Sequence, residues 1–464
     1  MQLSKFFGDK KFYKMVLLIA IPIMVQNGIT NFVNMLDNVM VGQLGTEAMS
    51  AVSIVSNLLF VFNLMVFGAI SSAGIFTAQF HGSNDNDGIR YTIRFKVIII
   101  ALVCVLGIAV FLIAEDSLIT KFLHDSASEG DLSLTLEYAK KYLAIMLIGL
   151  IPFSISQIYA STLRETERTV VPMVASICAV LTNLALNYVL IFGHLGAPAL
   201  GVSGAAIATS ISRFVEMGIL IVWTHSHKKE CPFIVHAFSS LRIPLPLTKS
   251  IFLKGLPLMF NEIMWSSAVV LTTQSYSTRG LDVVAALNIS NTINNIFNIV
   301  YIALGSAIAI VVGNLLGAAK LEEAKETDTK MIAFSVMCSV AVSLLLVIAA
   351  PYIPLMYKTT QSVRELATFM MYVTAAVMPF CAFSHAAYFT LRSGGQVFVT
   401  LLFDAVYMWL VVVPIAFCLS RFTGLSIWAL YPICQGLEIL KMTFGVILLK
   451  RGNWVRQLVG NEIE

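Results

Sequence analysis

Two carboxylates stand in stretches of chain that offer them little water. Asp37 belongs to a run of polar side chains, Gln26, Asn27, Thr30, Asn31, Asn34, Asp37 and Asn38, set among Val, Ile, Phe and Leu. At about 100° per residue on an α-helix, these fall within one arc of about 140°. Hydrocarbon cannot satisfy such a face, so it must meet a water-filled cavity or other polar helices. An ionised carboxylate there must be paired, hydrated or protonated, and the first two apolar stretches hold no Lys or Arg to pair it. The chemistry this suits is reversible uptake of a cation or a proton at Asp37. Glu262 repeats the device in a later stretch, with Ser266 and Thr273 on its face.

Other polar groups are expected around these two. Asn288, Ser290, Asn291, Thr292, Asn294, Asn295 and Asn298 spread over about 200° of one helix, too wide for a single seam, so that helix is expected to line a cavity. Gln26, Asn27, Thr30, Asn34, Asn291 and Asn295 are the expected substrate-facing set. Thr182, Asn183 and Asn187 add polar atoms in the fifth stretch. Arg213 with Glu216, and Glu438 with Lys441, are spaced i,i+3 and can neutralise each other locally. Asp404 and His385 admit either a structural or a functional reading. His225, His227, Cys231 and His236 superficially resemble a metal cluster, but their spacing fits no zinc pattern, and the segment reads as a solvated loop.

The elements that position these groups are membrane spans. Of 464 residues 58% are apolar and 12% charged, far from the balance of a soluble domain. Twelve stretches are long and apolar enough to cross a bilayer, near 15–40, 48–80, 97–114, 138–160, 169–193, 200–223, 250–276, 283–312, 331–350, 366–390, 397–419 and 424–449. Of the 30 Lys and Arg, 22 fall in segments on the side of the N-terminus, 7 on the other side, and Arg213 within a span. The positive-inside rule then puts both termini in the cytoplasm. The seven Cys are scattered and read as small packing residues. A net charge of +4 does not suggest a nucleic-acid partner, and there is no Walker A or hydrolase motif, so neither ATP use nor an enzyme is expected.

The chain also repeats itself. A shift of 235 carries Pro22 onto Pro257, Gly45 onto Gly280, Phe62-Asn63 onto Phe297-Asn298 and Gly82 onto Gly317. The expected fold is therefore an all-α integral membrane protein of twelve helices, in two parallel-repeat six-helix bundles around a central cavity. Its parts are residues 1–224, a cytoplasmic linker 225–249, and residues 250–464. Because six spans is an even number, both halves enter from the same side, an architecture that points to a transporter.

Asn34-Met-Leu-Asp37-Asn-Val-Met-Val41-Gly42-Gln-Leu44-Gly45, followed by an Ala/Ser-rich span, resembles the multidrug and toxic compound extrusion (MATE) family. Gln79-Phe-His-Gly82, Asn314-Leu-Leu-Gly317, Leu163-Arg164, Leu391-Arg392 and Gly201-Val-Ser-Gly204 are similar to further motifs of that family. The resemblance implies cation-coupled antiport of organic, mostly cationic compounds across the cell (inner) membrane, by a monomer without a cofactor. It implies Asp37, Asn183, Asn187 and Thr209 as the coupling group of the first half and Glu262 as that of the second. Asn187 stands where one branch has Asp, and the tenth span lacks another branch's Asp. The alternative is a flippase for lipid-linked oligosaccharides, which would want a basic cavity that spans 1, 2, 7 and 8 do not supply.

Overall fold

A computed structural model of the chain describes residues 6–125 and 132–460, apart from the side chains of residues 34 and 121–125. No strand occurs among the described residues. The helices are α1 (Lys10–Gly42), α2 (Thr46–Gly82), α3 (Asn86–Asp125), α4 (Leu132–Glu165), α5 (Val170–Phe192) and α6 (Gly201–Ser226). They continue as α7 (Leu245–Ser277), α8 (Leu281–Gly317), α9 (Leu321–Ala349), α10 (Gln361–Ser393), α11 (Val397–Phe422) and α12 (Ile427–Arg451). Among the described residues eleven of them are long and apolar enough to span a membrane. The exception is α7, whose apolar run is broken by Asn261 and Glu262.

The internal repeat is written into the element boundaries. The 235 shift carries the ends of α1 onto those of α7, and the ends of α2 onto those of α8. Backbone exceptions recur at the same offset. Gly45 and Gly280 precede their helices at φ 117° and 120°, and Asn84 and Ala319 follow theirs at φ 59° and 58°. Left-handed backbone at a non-glycine residue is uncommon, so its reappearance at equivalent positions marks a conserved exit from each helix.

The chain divides into two compact units, one of Met1–Met24, Ala78–Asp85 and Lys249–Glu464, the other of Val25–Thr77 and Asn86–Thr248. They are called here the C-unit and the N-unit. In the C-unit, Val16, Ile19, Ala20 and Ile23 of α1 pack with α8, α9 and α10 around Leu304, Ile308, Met331 and Phe389. The end of α2 crosses α8 at very short range. A Cβ on Gly82 would lie 1.9 Å from the Asn314 carbonyl oxygen, and one on Gly317 1.9 Å from that of Gln79. Ala78/Gly82 and Gly313/Gly317 are thus paired small-xxx-small steps that let backbones touch. The Gln79 side chain fastens the crossing, donating to the Ser393 carbonyl (3.0 Å) and accepting from the Leu458 amide (2.7 Å).

In the N-unit, Gly204 lets α6 approach α5, since a Cβ there would lie 2.5 Å from the Leu190 carbonyl oxygen. The segment between α6 and α7 is not the solvated loop its polar residues suggest. Arg94 of α3 donates to the carbonyls of Ala237 (2.8 Å), Arg242 (3.0 Å) and His236 (3.1 Å). Arg90 donates to those of Phe233 (3.3 Å) and Pro232 (3.2 Å). Cys231, Phe233, Ile234 and Ala237 are buried. Burying these apolar side chains strips water from the carbonyls, and the two guanidinium groups replace it.

Candidate functional site

Asp37 lies half-buried on α1 and is met by side chains from α5, one of which is held in turn from α6. Asn187 Nδ2 donates to Asp37 Oδ1 at 2.6 Å. Asn183, one turn earlier on α5, satisfies most partners with Nδ2 turned to Asp37, 2.9 Å from Oδ1 and 3.2 Å from Oδ2. Its Oδ1 then accepts from the Thr209 hydroxyl at 3.2 Å. Asn183 and Asn187 are i,i+4 neighbours, so one face of α5 presents both amides to the carboxylate. The Gly204 contact brings α6 close enough for Thr209 to hold the first of them. The four residues expected to form the first half's coupling group are therefore together.

Among the described residues no cation is bonded directly to this carboxylate. Arg213 on α6 acts on Asp37 through space, but its guanidinium bonds Glu216 at 3.2 Å. Asn187 Oδ1 is buried and has no hydrogen-bond partner among the described residues. A half-buried carboxylate held by amides suits a proton, a water or a small hard cation, and the amide donors can hold the ionised form when that occupant leaves. Among the described residues no group of three or more His, Cys, Asp or Glu could hold a metal ion, so any Na+ here would be bound by one carboxylate and neutral oxygens.

The rest of the polar face of α1 divides. Gln26 donates to Ser176 (2.8 Å) and accepts from Arg164 (3.4 Å), and Ser176 donates to Glu216 (2.7 Å). It is a link in a chain from Arg164 to Arg213. The Arg213–Glu216 pair is present as expected, extended by Ser176 and Gln26. Thr30 returns its hydroxyl to the Gln26 carbonyl (2.9 Å), and Asn27 is partly buried. The side chain of Asn34 lies outside the described residues.

The C-unit holds a second polar cluster, around Glu262. Lys441 of α12 bonds Asp404 of α11 at 2.7 Å and lies 4.0 Å from Glu438. The local Glu438–Lys441 pairing read from spacing is thus the weaker contact, because Asp404 reaches Lys441 from the facing helix. Asn261 donates to Asp404 Oδ2 (3.0 Å), and its Oδ1 accepts the Ala405 amide (3.2 Å). Here α11 winds as π-helix, over Leu402–Val406 and Met408–Val412, a distortion common at functional sites. Tyr388 donates to Glu262 at 3.5 Å, while His385 Nε2 is buried without a partner among the described residues. On α8 the structure separates residues the sequence grouped. Asn294 is buried against Ser290 and Thr374, each at 3.2 Å, whereas Asn291 and Asn295 are exposed.

The MatE family profile matches residues 22–189 and 257–418, one copy in each half of the chain. A probable multidrug resistance protein NorM from Thermotoga maritima is 22% identical over 449 residues, covering 96% of this chain and 94% of that protein. A protein of the same description from Bacillus cereus is 28% identical over 316 residues, covering 67% of each. Among solved structures, an outward-facing multidrug resistance MATE family transporter of the MOP superfamily superposes with a TM-score of 0.82 at 18% identity, over 97% of this chain and 98% of that one. A MOP superfamily transporter from Pyrococcus furiosus superposes with a TM-score of 0.79, also at 18% identity and over the same shares of the two chains. With the profile spanning most of the sequence, this multi-pass membrane protein belongs to the MatE family, whose members are transporters and not enzymes.

Proposed function

We propose that this chain exports organic, mostly cationic compounds from the cell in exchange for H+ or Na+, working by alternating access in the inner membrane with both termini cytoplasmic. The observation that carries the reading is Asp37 cradled by Asn183 and Asn187, with Thr209 behind them and no basic side chain among the described residues bonded to it. Open to the outside, Asp37 takes up the cation and the drug leaves. Open to the inside, the cation leaves and the drug binds. A ligand shifts such an equilibrium only by its differential affinity for the two states, so the occupant of Asp37 must bind the two states unequally. The names of the relatives support multidrug export, and the exposed Asn291 and Asn295 are the polar groups proposed to meet the substrate.

The test is dye efflux from proteoliposomes under separately imposed H+ and Na+ gradients, for the native chain and Asp37→Asn. The native chain should respond to one gradient, and the variant should reach the membrane and lose that response. Undiminished gradient-driven efflux by Asp37→Asn would overturn the assignment.

A further inference from the structure

The C-unit contains a cavity of about 1020 Å³ that the transport reading does not use. It lies between α9 and α12, which both pack on α10, so that Phe383 of α10 forms part of its lining. Its walls are apolar, with Ile332, Val336 and Met337 from α9 and Val446 and Leu449 from α12, and Trp454 also lines it. Lys450 and Arg451, in the last turn of α12, also line it. Both are exposed, and neither has an ion pair among the described residues. The acids of the same cavity are engaged. Glu322 is bonded by Lys325 at 2.6 Å, and Asp328 is 3% exposed and accepts the Thr390 hydroxyl.

We propose that this cavity binds an anionic phospholipid of the cytoplasmic leaflet, with its phosphate at Lys450 and Arg451 and its acyl chains along α9 and α12. The volume is too large for one side chain, and its apolar walls match hydrocarbon. Basic pockets at the cytoplasmic ends of spans capture acidic headgroups, because neighbouring cations near the membrane surface attract and hydrogen-bond the phosphate. The two cations also select the headgroup. A choline headgroup would bring a third positive charge to Lys450 and Arg451, where the described acids of the cavity, Glu322 and Asp328, are already engaged, whereas a glycerol headgroup leaves the phosphate charge for them. The orientation rests on the cytoplasmic placement of the termini; the cavity and its charge do not.

The test uses the full chain in detergent, titrated with dioleoyl-phosphatidylglycerol, dioleoyl-phosphatidylcholine or inorganic phosphate while thermal unfolding is followed. Phosphatidylglycerol should raise the apparent Tm by about 3 °C near saturation, the other two by much less. The double variant K450A/R451A should abolish the difference between the two lipids. Brominated phosphatidylglycerol should quench a component of tryptophan fluorescence that Trp454→Phe removes, and brominated phosphatidylcholine should not. Equal effects of the two lipids, equal stabilisation by inorganic phosphate, an unchanged lipid preference in K450A/R451A, or quenching indifferent to Trp454 would each overturn the proposal. A drop in Tm of K450A/R451A that is the same in every lipid would assign the two cations to the helix terminus instead.

Discussion

Replacing Gly317 by Ala tests the crossing of α2 and α8 directly. The added Cβ would stand 1.9 Å from the Gln79 carbonyl oxygen and 2.5 Å from the Gln79 Cα, where roughly 3.5 Å is comfortable. The helices would have to part by about 1.5 Å, and neither obstacle is a side chain that can swing away. Overpacking of this kind costs about 1–3 kcal/mol. The Gln457 amide that donates to the Gly317 carbonyl at 2.8 Å would be strained as well, a loss of about 1 kcal/mol. Together these give about 2–4 kcal/mol, read for a chain of 464 residues as a fall of roughly 2–4 °C in apparent Tm. Gly82→Ala should behave alike, because a Cβ there meets the Asn314 carbonyl at the same distance. The double variant should fall by less than the sum, since both Cβ atoms push apart one crossing. Gly218→Ala, in a helix with nothing within 4 Å of the new Cβ, is the control. A Gly317→Ala protein as stable as the native chain, or a Gly218→Ala protein destabilised as much, would refute the reasoning.

The remaining predictions concern the linker and the second cluster. Arg94→Ala should release the segment after α6, so that limited proteolysis cuts between residues 231 and 242 faster than in the native chain. Burial pushes the Cys231 thiol up to about 11, so a maleimide at pH 8 should spare it in the native chain and label it in Arg94→Ala. Lys441→Met should lower stability by about 3–5 kcal/mol, because it strands the Asp404 carboxylate in a buried site. The pair Asp404→Asn with Lys441→Met should recover most of that loss in thermal unfolding.

Long-range periodicity made the membrane fold legible, since apolar runs of bilayer length and a 235-residue self-shift survive without any knowledge of contacts. The grouping of Asn183, Asn187 and Thr209 with Asp37 came through family resemblance; spacing alone shows only that the two Asn share a helix face. What could not be read were partners supplied by another helix. Gln26 looks like its neighbours on the polar arc, and only the arrival of Ser176 and Arg164 commits its amide. Lys96 counts in sequence as one more interfacial lysine, yet it is fully buried against Ser161, Thr162 and Glu165. Asp328 is its acidic counterpart on α9, held by Thr390, which a shift of 228 relates to Thr162. Equivalent threonines thus serve opposite charges, a divergence that comparing the halves at one offset would miss. The linker misled for a related reason: its histidines and lysines suggest water, while the arginines that seat it lie about 140 residues upstream.

The wide turns of α11 have a consequence for how relatives are compared. Each such turn absorbs an extra residue within a span instead of in a connecting loop, so side chains beyond it point where an uninterrupted α-helix would aim a neighbour. Against a relative that lacks these turns, an alignment that allows gaps only between spans would pair the half of α11 before Leu402 correctly and misassign the half after Val412, or the reverse. Asp404 and Trp409, which reach Asn261 and the Met264 carbonyl from these turns, should be matched to counterparts by their contacts with α7 and not by column.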